Sequence, residues 1–418
     1  MPGATVAESR AGWPRYYTVV LLLCAAVFIS YIDRTNISVA AIAMKDELGW
    51  TETDKGTVLS SFFVGYLLMM AASGALANRY GGWLVLGIAV LWWSAWTILT
   101  PPAATVSLAA LVAARIGLGL GEAAVFPASI NMIGRWVPPE RRSRATALLV
   151  SALSLGTLFS LPVTGWMVRA HGWPVPFYVF GAAGLVWFVA WFALIGEHRA
   201  AAPAHVAETA ASEARHIPWG RLLALPAVWA IIVAHFACNW GLYLTLAWMP
   251  SYFRSTFGVS LADAGLLSAA PWLVSFVTAN LVGAWADRML KAGRKAGFVR
   301  KLLQGISLVG GGLVWLLLPH ATTPAVGVAL MCCATCVGAF AMSGFAPNCF
   351  DIAPKYADVI WGISNSVATV PGIVAVFITG WLVDRTGNFA APFNLTAAIL
   401  LGSAVVYQLF GSGERLVD

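Results

Sequence analysis

Charge is scarce in this chain. Only 10% of its 418 residues are Asp, Glu, Lys or Arg, while 60% are hydrophobic. An ordinary soluble domain is about a quarter charged, so a water-soluble fold is excluded. No ten-residue alternation of apolar and polar positions is present, which excludes a membrane β-barrel. Cysteine is sparse as well: six residues (24, 238, 332, 333, 336 and 349), all in apolar segments. Cys333 and Cys336 have a C-x-x-C spacing, but no histidine or second pair accompanies them. They read as small packing residues, and neither a disulfide framework nor a metal site is implied. Catalytic motifs are lacking too, with no G-x-S-x-G, no Walker loop and no H-E-x-x-H. The run GLGLGEAA at 117–124 begins inside a helical stretch rather than after a strand, so it reads as close helix packing. The first 15 residues are polar and lack the apolar core of a signal peptide, so the first helix is expected to insert and be retained.

What the chain has instead is apolar runs near or above the roughly 20 residues that cross a bilayer as helix. They predict an all-α membrane protein with twelve transmembrane helices near 16–41, 56–77, 83–100, 105–133, 144–168, 174–195, 225–253, 262–286, 298–318, 324–349, 357–382 and 390–410. Most of the 25 lysines and arginines fall at the termini and in even-numbered loops, against Lys45, Lys55, Arg169, Arg254 and Arg385 on the other side. By the positive-inside rule both termini are then cytoplasmic. The basic loop DRMLKAGRKAGFVRK at 287–301 is a topology anchor beside anionic lipid rather than a nucleic-acid patch.

The chain also repeats itself. GALANRYGG at 74–82 has a partner in GAWADR at 283–288, half the chain further on. Each closes the second helix of a six-helix set. Between the sets lies the only long polar, Ala-rich stretch. We therefore expect an N-terminal half at 1–195, a cytoplasmic linker at 196–224 and a C-terminal half at 225–418, related by pseudo-symmetry.

Four ionisable residues break the apolar pattern: Asp33 and Arg34 in the first helix, Arg115 and Glu122 in the fourth. A charge at bilayer depth costs roughly 2.5–3.5 kcal/mol even on lenient scales, so it persists only when paired, hydrated or useful. Arg115 and Glu122, seven residues apart, lie within about 20° of one helical face, which must look into the bundle. Asp33 and Arg34 are adjacent and splay by about 100°. Two acids and two arginines can clamp helices together, bind an anion or carry a proton. Clamping alone rarely repays the burial of four charges, so the pattern points to a transporter. Arginine offers a planar fork that suits a carboxylate or phosphate. A buried carboxylate responds to both desolvation and nearby cations. An anion on Arg115 would withdraw counter-charge from Glu122 and favour its protonation, which is the coupling a symporter needs.

Other polar residues mark the surrounding walls: Tyr66 in helix 2, His235, Asn239 and Tyr243 at i, i+4, i+8 in helix 7, Ser343 and Asn348 in helix 10, and Ser364, Asn365 and Ser366 in helix 11. Each could equally serve a helix–helix hydrogen bond. Pro127, Pro162, Pro271 and Pro371 fall within helices and should mark bends.

The stretches YIDRTNISVA, ARIGLGLGEAAVFPASINMIGRWVPPERRSRA, HFACNWGLY with WMPSYF, FDIAPKYADVIWGISNSVATVPG and the closing FGSGE resemble the anion:cation symporter family of the major facilitator superfamily. The resemblance is to the vesicular glutamate, sialic-acid and sodium–phosphate branch, to plastid phosphate transporters and to bacterial galactonate-type sugar-acid symporters. It implies proton-coupling roles for Asp33 and Glu122, a substrate-anchoring role for Arg115, and substrate contacts from Arg34, Tyr66, Asn239, Ser343, Asn348 and Asn365. Gly74, Asn78, Arg79, Gly82, Asp287 and Arg288 correspond to the superfamily's conformational loop motif, with Asn78 standing where an acid is expected. Leu59 and Asn239 replace a histidine and an arginine of the vesicular glutamate carriers, which argues against glutamate. The expectation is a monomeric plasma (inner) membrane symporter that imports an organic anion such as a sugar acid by alternating access. Its coupling ion is the proton, with no other cofactor, no metal and no nucleic-acid partner. The alternatives are a sodium-coupled or facilitative anion or phosphate carrier, and a non-transporting membrane receptor or scaffold.

Overall fold

A computed structural model describes residues 15–195 and 217–417. Twelve helices in it are long and apolar enough to cross a membrane, and no strand occurs among the described residues. In chain order they are span 1, Arg15–Leu48; span 2, Glu52–Tyr80; span 3, Gly82–Val106; span 4, Leu108–Trp136; span 5, Pro139–His171; span 6, Pro174–Ile195; span 7, Pro226–Phe257; span 8, Leu261–Lys291; span 9, Ala296–His320; span 10, Pro324–Ile352; span 11, Pro354–Thr386; and span 12, Ala390–Phe410. Twelve crossings bring Arg15 and Phe410 to one face, called here the terminal face; the other is the distal face.

Side-chain caps from Thr51, Ser107, Ser260 and Thr323 open spans 2, 4, 8 and 10, and such a cap can carry a helix beyond its apolar core. Span 2 shows how. Thr51 Oγ1 accepts from the Asp54 amide at 3.0 Å and the Asp54 carboxylate accepts from the Thr51 amide at 3.0 Å, a reciprocal capping box. The helix therefore starts at Glu52, four residues before the expected 56, and Lys55 is a buried helical residue rather than a loop residue. This corrects its placement. At the other end, Gly81 turns the chain at φ +86°, a conformation that only glycine reaches without strain.

Two spans expected as continuous are broken at mid-depth. Span 4 comprises Leu108–Glu122 and Val125–Trp136, and span 10 comprises Pro324–Gly338 and Ala341–Ile352. Span 9 contains one π-helical turn at Ile306–Gly310. Of the stretch expected as linker, residues 196–216 lie outside those described, and the rest carries a single helical turn, Trp219–Leu223.

Spans 1–6 meet spans 7–12 chiefly toward the distal face. Asp384 of span 11 accepts from the amides of Glu52 and Thr53 at 2.9 and 2.6 Å. Lys55 donates to Ser251 of span 7 at 3.1 Å. Phe63 packs on Tyr243 with ring centroids 4.5 Å apart. On the other flank Gly165 and Gly265 seat spans 5 and 8 backbone to backbone. Deeper, Asn365 reaches Met70 Sδ at 3.5 Å. Beyond Met70 the hydrogen bonds of span 2 turn to its own set, Ser73 to Ala123 and Asn131 to Asn78. There a cavity of about 410 Å³ opens, lined by Tyr66, Met70, Gly74, Asn78, Asn131 and Asn365 among others. The molecule is shut at the distal face and open toward the terminal face.

Candidate functional site

Glycine sets the geometry of the centre. A Cβ at Gly119 would stand 2.1 Å from the Phe62 carbonyl oxygen, and one at Gly65 would stand 2.0 Å from that of Ile116. Spans 2 and 4 thus touch backbone to backbone. Gly117 and Gly121 likewise admit the rings of Trp96 and Trp92, and Gly121 also the backbone and Cβ of Trp93, from span 3. The GLGLGE run therefore serves close packing, as its mid-helix position suggests, and it ends at Glu122, where span 4 breaks.

Glu122 is 1% exposed, and its Oε2 accepts three hydrogen bonds: from Ser30 Oγ at 3.0 Å, Arg34 Nη2 at 3.0 Å and Arg34 Nε at 3.3 Å. Span 1 is thereby tied to span 4 by a buried, charge-assisted pair. The pairing is Arg34 with Glu122, not Arg115 with Glu122. Three rings surround Arg34, with its guanidinium 4.7 Å from the centroid of Tyr31, 4.8 Å from Phe62 and 4.7 Å from Tyr66. Such contacts favour a desolvated cation, and arginine here keeps its charge in an aromatic shell.

Arg115 is different. It is 1% exposed and lies 5.5 Å from the Phe62 ring, yet its Nε and Nη1 make no hydrogen bond. Its charge acts on Glu122 and Asp33 through space. Asp33 is fully buried beside Trp93 and Thr97, and neither carboxylate oxygen completes a hydrogen bond; the Thr97 hydroxyl is spent on the Trp93 carbonyl. More than nine in ten buried polar groups are normally satisfied, so the unpaired atoms of Arg115 and Asp33, gathered beside the Arg34–Glu122 pair, make this cluster the candidate site. Arg34 and Arg115 both line a narrow central gap with Ser38, Leu59, Phe62 and Phe63, which Leu246 and Ala247 close from span 7. At about 10 Å³ the gap holds at most one water.

The remaining candidates divide. Tyr66 joins the centre through Arg34, and Asn365 faces the 410 Å³ cavity. Asn239 donates to the Ala368 carbonyl at 2.8 Å and lines, with His235, a separate cavity of about 210 Å³ inside the second set of spans. His235 bonds Ser364 at 2.9 Å, stacks on Trp361 and packs tilted against Phe345. Asn348 donates to Tyr407 of span 12 at 2.9 Å, and Ser343 offers its carbonyl to Arg300, which pairs with Asp351. The structure thus brings Asp33, Arg34, Tyr66, Arg115 and Glu122 together and leaves Asn239, Ser343 and Asn348 in the packing of the second set. In the loop motif, Asn78 accepts from Asn131, Arg79 stacks on Tyr80, and Asp287 and Arg288 are exposed. Ser30 and Tyr31 escaped notice in the sequence; their signal was helical spacing, one turn before Arg34.

Comparisons with known proteins agree with this architecture. The family model of the Major Facilitator Superfamily matches residues 23–376. A sodium-dependent phosphate transport protein of Arabidopsis thaliana chloroplasts is 36% identical over all of this chain and 83% of its own length. The chloroplastic ascorbate transporter of the same plant is also 36% identical, over 97% of this chain and 76% of its own. Among solved structures, a D-xylose–proton symporter superposes with a TM-score of 0.76 at 16% identity, covering 95% of this chain and 98% of that one. An inward-facing, unoccupied bacterial homologue of the human lysosomal transporter Spinster gives 0.77 at 16%, covering 96% and 97%. A twelve-span helical bundle, a family model over residues 23–376 and transporter relatives matched over most of their length lead to one assignment: the chain is a transporter, not an enzyme, and belongs to the Major Facilitator Superfamily.

Proposed function

We propose that this transporter is a proton-coupled symporter that carries an organic anion, such as a sugar acid, across the plasma (inner) membrane as a monomer with both termini in the cytoplasm. The terminal face is then the inside, and the structure is the inward-facing state. One observation carries the reading: at mid-membrane Glu122 pairs with Arg34 and Ser30 through Oε2 alone, while its Oε1, both Asp33 carboxylate oxygens and Nε and Nη1 of Arg115 stay unpaired. An anion's carboxylate suits the open fork of Arg115. Its negative charge then stands near Asp33 and Glu122, and proton uptake by these acids relieves the repulsion. With one proton taken up, the two arginines balance the anion and the acid still ionised, so the loaded site is neutral and can cross; in the empty cluster the two arginines balance the two ionised acids, and it can return. Proton loss to the inside weakens the hold on the anion.

Linkage gives the sign of the pH dependence. If the anion promotes protonation, protonation must tighten the anion by the same factor. Affinity of purified protein for galactonate or ascorbate, measured by calorimetry, should therefore rise as pH falls while the ligand stays ionised. Glu122→Gln should flatten the trend. Affinity that weakens steadily below neutral pH would instead indicate antiport or an uncoupled carrier. Sodium-coupled phosphate movement is the second reading, favoured by the 36% identity to a sodium-dependent phosphate carrier; sodium-dependent orthophosphate uptake without a pH response would select it.

A further inference from the structure

Near the distal face sits a buried cation that this cycle does not use. Lys55 is 2% exposed. Its ammonium donates to Ser251 Oγ at 3.1 Å and lies 4.6 Å from the Trp248 ring centroid, both on span 7. Within its own helical turn it pairs with Glu52, which Lys45 also holds at 2.7 Å; Asp46 contributes a further negative field. Closing the distal side does not by itself require this lysine. Asp384 already caps the first turn of span 2 through the amides of Glu52 and Thr53, where the helix dipole favours a carboxylate.

The position of Lys55 is informative. Leu59 and Phe62 follow it by four and seven residues, so all three share one face of span 2, with Lys55 about 10 Å nearer the distal face than Phe62. Leu59 and Phe62 line the same gap as Arg34 and Arg115. Lys55, Arg115 and Arg34 therefore form a series running inward from the distal face to Glu122. The partners of Lys55 also divide between the two sets of spans. Lys45, Asp46 and Glu52 travel with it, whereas Ser251 and Trp248 belong to the second set, as does Asp384, which holds the amides of Glu52 and Thr53. When the distal side opens, those three withdraw. The remaining group of Lys45, Asp46, Glu52 and Lys55 is balanced in charge, and the Lys55 ammonium, freed of Ser251 and Trp248, faces the route to Arg115.

We propose that Lys55 is the outer docking residue for the substrate anion. In the distal-open state its ammonium receives the carboxylate or phosphate of the incoming solute and hands it to Arg115. On closure it exchanges that anion for Ser251 and Trp248, so that delivery and closing proceed together. This assignment rests on the alternating-access anion transport proposed above.

Two substitutions test it. Lys55→Met keeps the chain length and the apolar contact with Trp248 but removes the charge; Lys55→Arg keeps the charge. Labelled galactonate, ascorbate and orthophosphate would be offered to cells at matched surface expression, and the same compounds titrated into purified protein. The expected result for Lys55→Met is a rise of roughly fivefold or more in the KM for uptake, with binding to the purified inward-facing protein unchanged within about twofold. Lys55→Arg should restore the uptake KM. A parent that transports while Lys55→Met leaves its KM unaltered would remove the docking role and leave the transport reading standing. A lowered KM accompanied by greater labelling of a cysteine placed at Thr53 would show that Lys55 only clamps the closed gate. A parent without anion-dependent flux would remove the transport reading, and the docking role with it.

Discussion

Methionine in place of each central arginine should abolish transport in both cases but cost stability in only one of them. In Arg34→Met, Glu122 Oε2 loses two of its three donors, and Oε1 has none to begin with. Stripping one partner from a buried ion pair costs roughly 3–5 kcal/mol, and the contacts with Tyr31, Phe62 and Tyr66 go as well. In Arg115→Met no hydrogen bond is lost at Nε or Nη1, because none exists. A buried donor without a partner costs about 1–3 kcal/mol, and methionine removes that cost while filling similar space; the lost attraction to Asp33 and Glu122 works against this gain. The net expectation is a stability within about 1 kcal/mol of the parent, or above it. Chemical or thermal unfolding in detergent, followed by fluorescence of the 20 tryptophans, separates the two variants, and uptake assays confirm that both are inactive. If Arg115→Met proved as unstable as Arg34→Met, Arg115 would be a structural clamp and the argument from its unpaired fork would fail.

Further outcomes follow from the same geometry. Arg115→Lys keeps the charge but loses the planar fork, and should retain less than about a tenth of parental uptake at equal expression; parental uptake would overturn the anchoring role. Glu122→Gln should abolish pH-driven accumulation while sparing counterflow exchange, which needs no net proton release, and accumulation that survived the change would remove Glu122 from the coupling path. Gly119→Val forces side-chain atoms against the Phe62 carbonyl, 2.1 Å from the position of a Cβ, and should destabilise by at least the 1–3 kcal/mol typical of overpacking; an unfolding midpoint equal to the parent's would show that spans 2 and 4 can part freely.

The spans were legible because hydropathy is a long-range average that cap chemistry alters only at the ends. Their starts were less so: the T-x-x-D box at Thr51–Asp54 was present to be read, and missing it placed Lys55 in a loop. The breaks in spans 4 and 10 carry no proline at the break itself, so a one-dimensional pattern does not reveal them. The four central charges were visible as anomalies against an apolar background. Their pairing was not, since helical spacing linked Arg115 with Glu122 along one helix, whereas the packing of span 1 on span 4 delivers Arg34 instead. Asn239, Ser343 and Asn348 shared a polar signature with site residues, and only their partners Ala368, Arg300 and Tyr407 show them within the packing of the second set.

The central claim is coupling of anion flux to protons through Asp33 and Glu122. Purified protein in sodium-free liposomes, with an acidic exterior imposed and labelled galactonate or ascorbate outside, tests it directly. The account predicts transient accumulation above equilibrium that collapses when a protonophore removes the gradient. Accumulation that requires external sodium and ignores the pH gradient, or flux that never exceeds equilibrium, would contradict it.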